Sequence, residues 1–176
     1  MQAQIIFILL ALSFSLPVYG QSSLAGMDIA TNYQFTQAGD GGTLEVDGFP
    51  KGQRLYYADN DFSEFGFADF KFPIKYTQDT SIHLSWFDYS LHFALPLDIL
   101  FSFGGGLGRA LVEGPTASDF SSSLAGEYHF TLGYNFFESL HLRYSQSKVL
   151  APIKRNDNLY LSASGTLTSL GVALVF

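Results

Sequence analysis

From Leu124 to Phe136 the chain alternates strictly between two kinds of residue. Leu124, Gly126, Tyr128, Phe130, Leu132, Tyr134 and Phe136 hold the even positions, and Ala125, Glu127, His129, Thr131, Gly133 and Asn135 the odd ones. Successive side chains of a strand point to opposite faces, so this segment has one apolar face and one small or polar face. A helix would scatter both sets around its circumference, and the segment reads as a β-strand. The pattern recurs. Leu140, Leu142 and Tyr144 oppose His141, Arg143 and Ser145, while Leu170, Val172, Leu174 and Phe176 oppose Ser169, Gly171, Ala173 and Val175. Phe87, Tyr89, Leu91 and Phe93 alternate with Asp88, Ser90 and His92, and Ile99, Phe101, Phe103 and Leu107 with Ser102, Gly104 and Gly106.

Near the start, Ile29, Thr31, Tyr33 and Phe35 are expected on one face, opposite Asp28, Ala30, Asn32, Gln34 and Thr36. Strands are therefore expected near 27–37, 52–58, 63–74, 82–94, 99–107, 122–136, 139–146 and 166–176. Leu95-Pro96-Leu97-Asp98 and Phe137-Glu138-Ser139 read as tight turns, whereas Gly108–Phe120 and Ser147–Asp157 read as long polar loops. Short turns on one rim and long loops on the other are the habit of membrane barrels. The expected fold is all-β: an antiparallel up-and-down transmembrane β-barrel of eight strands, with both termini on the short-turn rim.

Two layouts stay open in region 38–74. Leu44 and Val46 alternate with Glu45 and Asp47, so the second strand could start near Thr43 and break at Gly48-Phe49-Pro50, and ten strands would then be counted. In the third strand, Phe65 and Phe67 share one parity while Phe70, Phe72 and Ile74 share the other; a β-bulge near Ala68-Asp69 would reconcile them. Residues 158–176 carry no Asp, Glu, Lys or Arg beyond position 157, yet they alternate and are broken by Ser, Thr and Gly, which favours strand over spanning helix.

Composition narrows the function classes. Only 14% of residues are charged, against about 25% for an ordinary soluble domain, while 18 Phe, 10 Tyr and 1 Trp are present. A net charge of −7 has the wrong sign for phosphate backbones, so no nucleic-acid partner is expected. The absence of cysteine removes disulfides, thiolate metal sites and cysteine nucleophiles. Ile5–Val18 is a fourteen-residue apolar run, short of the roughly 20 residues that cross a bilayer as a helix. Val18 and Gly20 are the small residues of a cleavage site, although the leading segment lacks Lys and Arg. Residues 1–20 are expected to be a signal peptide and 21–176 a single exported barrel domain.

Alternation alone does not say which face meets lipid. A lipocalin-like secreted barrel would turn its apolar side chains inward around a ligand. Here the polar sets hold Gly, Ser, Ala and Thr more often than Lys or Glu, which suits a crowded interior, and Phe and Tyr gather near strand ends as in the aromatic girdles of membrane barrels. With these features and the closing Leu170-x-Val172-x-Leu174-x-Phe176, residues 27–176 resemble the small eight-stranded outer-membrane barrels, the OmpA membrane domain, OmpX and OmpW-like proteins. The resemblance implies a place in the Gram-negative outer membrane after passage through the periplasm, among outer-membrane lipids and lipopolysaccharide. It also implies that Leu170, Val172, Leu174 and Phe176 are the signal read by the barrel-assembly machinery. The implied role is non-enzymatic: membrane integrity, surface contact or porin-like passage of small solutes. Oligomeric state is left open.

Chemistry-bearing residues are sparse. His92, His129 and His141 share the inward parity, but no pair of the four histidines has a local metal-ligand spacing, and neither metal nor cofactor is expected. Glu127, His129, His141 and Arg143 form a candidate polar cluster in the lumen, with Glu127, Arg143 and Lys148 as candidate ion-pair partners. Asp59-Asn60-Asp61 begins like a calcium loop, but Glu64 and Phe70 stand where Gly and Glu are needed, which leaves a polar turn. Gly104-Gly105-Gly106-Leu107-Gly108 lacks the Lys-Ser/Thr of a phosphate loop and is read as relief of crowding inside a strand. Lys148, Lys154 and Arg155 are basic points in a late loop, read as solvated rather than phosphate-binding. The enzymatic alternative is a lipid A deacylase-like hydrolase, with Ser145 of Arg143-Tyr144-Ser145-Gln146 as nucleophile. An always-charged guanidinium at 143 cannot take the serine proton, so no catalytic residue is expected.

Overall fold

The computed structural model describes residues 23–36, 46–60, 62–75, 79–115, 117–136, 139–155 and 160–176. The signal segment 1–20, Leu44 and Glu45, Asp61, Phe137 and Glu138, and Asn156-Asp157-Asn158 lie outside the described residues. In chain order the barrel strands are β1 (Leu24–Phe35), β2 (Lys51–Asn60), β3 (Ser63–Pro73), β4 (Ser81–Leu95), β5 (Ile99–Glu113), β6 (Ser123–Asn135), β7 (Leu140–Leu150) and β8 (Gly165–Val175). Each pairs antiparallel with its chain neighbour, and β1 pairs with both β2 and β8, so the sheet closes on itself. Closure leaves no edge strand with unpaired backbone groups, the condition a bilayer imposes.

Eight strands, not ten, form the barrel. Val46 makes only an isolated bridge to Ile74, and β2 begins at Lys51, after Pro50. The first strand begins and the last ends on the rim of the short turns, where Leu24 pairs with Val175. The loops expected at 108–120 and 147–157 are shorter than their polar composition suggests. β5 runs on to Glu113 and β7 to Leu150, and a small sheet of Phe120–Ser121, Pro152–Arg155 and Tyr160–Ser162 sits above them.

The outward face carries the apolar band. Phe87, Tyr89, Leu91, Phe93 and Leu95 of β4, Phe103 and Leu107 of β5, and Leu124, Tyr128, Phe130, Leu132 and Tyr134 of β6 are all exposed. A continuous apolar surface of this extent is untenable in water and fits lipid, which removes the lipocalin-like arrangement. Phe130 lies midway along its outward column, so Phe130→Arg should cost about 2–4 kcal/mol by urea unfolding in lipid vesicles.

Two strands depart from the expected parity. In β1 the pairing with β8 shifts between Ala30 and Asn32. Met27 and Ile29 face lipid before that bulge, whereas Tyr33 after it is buried, its hydroxyl donating to the Ala163 carbonyl at 2.5 Å. The extra residue reverses the faces. In β3 the opposite holds. Its register with β4 runs unbroken from Ser63–Leu91 to Pro73–Ser81, so no bulge occurs at Ala68-Asp69. Phe65 and Phe67 face lipid, and Phe70, Phe72 and Ile74 point into the lumen.

The lumen is therefore layered. Towards the long-loop rim it is an apolar core of Tyr33, Phe70, Phe72, Ile82, Leu84, Trp86, Val149 and Leu167, capped by Ala151, Ile153 and Ala163. At the short-turn rim Leu24, Tyr56, Ala58 and Ala173 make a second apolar cluster. Between them lies a charged layer.

Candidate functional site

The charged layer is built from inward positions on six strands. Asp28 (β1), Arg54 (β2), Glu64 (β3), Asp88 and His92 (β4), Glu127 and His129 (β6) and Arg143 (β7) are all buried. Arg54 is the hub. Its Nε donates to Asp88 Oδ2 at 2.9 Å, its Nη2 to Glu64 Oε1 at 2.7 Å and to Asp88 Oδ1, and its Nη1 to Asp28 Oδ2 at 3.3 Å. Arg143 completes a second bridge, donating to Glu64 Oε2 at 2.7 Å. Its Nε lies 3.0 Å from Asp28 Oδ1, an ion-pair contact whose angle falls short of a hydrogen bond. The Arg143 guanidinium also stacks over the Tyr56 ring, 3.9 Å from its centroid. Arginine suits this role because its planar fork can serve several carboxylates at once.

Glycines make room for these contacts. Asp28 and Arg143 stand on either side of Gly171 in register, and Asp88 and Glu127 on either side of Gly106. A Cβ on Gly171 would come within 2.9 Å of Arg143 Cγ, and one on Gly106 within 2.9 Å of Asp88 Cβ. The glycine-rich run of β5 does relieve crowding, and the space it clears lets side chains two strands apart meet across it.

A second polar chain lies near Asp88. Ser90 Oγ lies 2.7 Å from His129 Nε2, and His129 Nδ1 lies 2.8 Å from Glu127 Oε1. This is the connectivity of a serine nucleophile, its base and an orienting acid. Ser90 is wholly buried, however, and the lumen cavity bordered by Asp28, Arg54, His129, Arg143 and Ser145 measures about 10 Å3. A space of that size holds about one water and no acyl group.

The four lumen residues expected from sequence are all buried and inward-facing, but they do not form one cluster. Glu127 and His129 meet each other; Arg143 instead meets Asp28 and Glu64, and His141 turns towards the short-turn rim to reach Asn135 Oδ1 at 2.7 Å. Lys148 is not in the lumen. It shares the outward parity of Tyr144, and its Nζ donates to Thr36 Oγ1 at 3.0 Å. Ser145 bonds Thr131 at 3.1 Å, with Arg143 bound to carboxylates, so the deacylase-like pair has no base. The partners missed were Asp28, Arg54, Glu64, Asp88 and Ser90, while His92 was placed inward but outside the cluster. Their signal was parity: each shares a face with Gly, Ala or Ser opposite an apolar column. Leu170, Val172, Leu174 and Phe176 are all exposed on the outer wall.

A different polar group lies towards the long-loop ends of β3, β4 and β5, beyond the exposed Phe67, Phe87 and Leu107. Lys71 Nζ donates to Glu113 Oε2 at 2.6 Å, and His83 lies 3.0 Å from both Glu113 and Asp69. The hydrogen bond from Lys71 holds the Glu113 carboxyl below its ordinary pKa, against the opposing effect of desolvation.

No family model and no curated protein matches this sequence. Solved structures do match, and they define the class: the chain has the fold of the small eight-stranded outer-membrane barrels. Neisserial surface protein A aligns with a TM-score of 0.60 at 16% identity, over 90% of this chain and 98% of that one. The N-terminal β-barrel domain of Pseudomonas aeruginosa OprF aligns at 0.54 and 15% identity, over 90% and 100%. The Yersinia pestis attachment invasion locus protein Ail, solved with the heparin analogue sucrose octasulfate, aligns at 0.52 and 16% identity, over 89% and 97%.

Proposed function

We propose that this protein is a non-enzymatic, integral component of the Gram-negative outer membrane that acts through its walls and rim rather than through its lumen. Residues 1–20 direct export, and the outward column Leu170, Val172, Leu174 and Phe176 meets the assembly machinery. Membrane integrity and surface contact are its roles, with lipids and lipopolysaccharide as the standing partners of the outer wall.

The observation that carries this reading is the filled lumen. An apolar core, a cross-linked charged layer and a second apolar cluster follow one another along the barrel axis, so neither ion nor solute has a continuous polar path. Eight strands leave an interior just wide enough for side chains, and here side chains fill it. This argues against small-solute passage, and the burial of Ser90, with a cavity of only one water's size at its partner His129, argues against hydrolysis. The projecting walls of β3–β5, with Lys71, His83, Asp69 and Glu113, supply a charged surface at the height of lipid headgroups.

Two measurements test the proposal. In membrane fractions the protein should sediment with the outer membrane and shift mobility on SDS gels between unboiled and boiled samples. In planar bilayers the purified barrel should show no discrete single-channel steps at neutral pH; regular steps would replace the structural reading with solute passage.

A further inference from the structure

We propose that Asp88, Glu127 and His129 form a binding site for one divalent transition-metal ion of the Zn2+ class inside the lumen. The proposal stands apart from the role of the outer walls and does not depend on it. The three residues come from two strands separated by β5, and the glycines of β5 bring them together. Asp88 and Glu127 flank Gly106, and Ser90 and His129 flank Gly104. One donor atom from each of Asp88, Glu127 and His129 lies within 4.8 Å of the other two. Ligands about 2.0–2.2 Å from a tetrahedral ion stand roughly 3.3 Å apart, so small side-chain rotations complete the set. His129 Nδ1 and Glu127 Oε1, at 2.8 Å, already lie within that span.

Two independent observations point to a cation. Glu127 Oε2 is buried and has no hydrogen-bond partner among the described protein groups, although its side chain is only 1% exposed. A carboxylate oxygen so placed retains the full cost of desolvation unless a donor or a cation meets it, and no donor among the described residues does. The charge of the layer gives the second. Counted formally, with His92 and His129 neutral, the carboxylates of Asp28, Glu64, Asp88 and Glu127 outnumber the guanidiniums of Arg54 and Arg143 by two, the charge of one divalent ion.

The donor set selects the metal. Two carboxylates and one imidazole suit Zn2+ and its neighbours, whereas Ca2+ takes six to eight oxygens and Mg2+ retains several waters that this lumen has no room for. The surrounding groups are those that orient ligands. With Nδ1 on the metal, His129 Nε2 donates to Ser90 Oγ, and Arg54 holds Asp88 through two hydrogen bonds. Because the lumen is closed, the ion would be taken up as the barrel folds.

The test uses the intact protein refolded from urea into detergent micelles with ZnSO4 or CoCl2 alone, desalted, and confirmed as folded by its heat-dependent gel shift. The expected result is one Zn2+ retained per chain and visible d–d bands with Co2+. Glu127→Gln should lower retention at least about tenfold. His83→Gln, which alters the surface group of Asp69 and Glu113 towards the long-loop rim, should leave it unchanged. Substoichiometric zinc in the folded wild-type protein, or loss in His83→Gln but not in Glu127→Gln, overturns the proposal. If Glu127→Gln does not fold, Asp88→Asn takes its place, and a wild-type Co2+ sample without d–d bands decides against the site on its own.

Discussion

Arg54→Met should destabilise the barrel by about 3–5 kcal/mol, the largest loss expected from a single substitution in the charged layer. The side chain is buried and bridges Asp28, Glu64 and Asp88, so its removal strips Asp88 of its guanidinium and takes one of two from Asp28 and Glu64, which keep Arg143. Methionine fills much of the same volume, which confines the effect to charge and hydrogen bonding. Arg54→Lys should recover only a fraction, because one ammonium cannot span three acceptors as the guanidinium fork does. The double variant Arg54→Met/Asp88→Asn removes one stranded charge and should be more stable than Arg54→Met alone. Urea unfolding in lipid vesicles, followed by tryptophan fluorescence and by the gel shift, measures each. An Arg54→Met midpoint close to wild type would mean that the charged layer is solvated and does not hold the barrel together.

How much of this was legible before the structure depends on the range of the interaction. Strand positions were, because a lipid-facing wall forces a period of two that survives from Leu124 to Phe136 and from Leu140 to Tyr144. Inward placement of Glu127, His129, His141 and Arg143 followed from the same period. Partnerships did not. Whether Arg143 meets Glu127 or Glu64 depends on strand register and on the glycines between strands, and Arg143 and Glu64 are 79 residues apart in sequence. The expectation that placed Lys148 in the lumen ignored its parity with the outward Tyr144. Local spacing could not show that Asp88 stands near Glu127, since the two are brought together across Gly106 and not along the chain.

The β1 and β3 outcomes have one physical origin. Alternation reports that two faces differ, but the lumen here is polar in its middle and apolar towards the long-loop rim, so an apolar column does not by itself mean lipid. A bulge was expected in β3 to keep every Phe outward, and it occurs instead in β1, where it brings Tyr33 inward to meet Phe72. The strand that looked irregular is regular, and the one that looked regular is bulged.

That inversion sets up the second large effect. Phe72→Ala should cost about 3–5 kcal/mol, because the ring is wholly buried and its removal leaves a cavity among Tyr33, Phe70 and the strands around them. Its centroid lies 4.2 Å from that of Tyr33 and 6.3 Å from that of Phe70, so two ring contacts go with it. Phe67→Ala on the same strand removes the same atoms from the opposite face. There the ring touches Phe87 at 4.8 Å and is otherwise bathed in lipid, which can flow into the space left behind. The loss should be only about 0.5–1.5 kcal/mol, the worth of the aromatic pair. Parallel urea unfolding of the two variants in vesicles reads the difference directly. Equal losses, or a larger one for Phe67→Ala, would place Phe72 against lipid, restore the bulge at Ala68-Asp69, and remove the apolar core that closes the lumen.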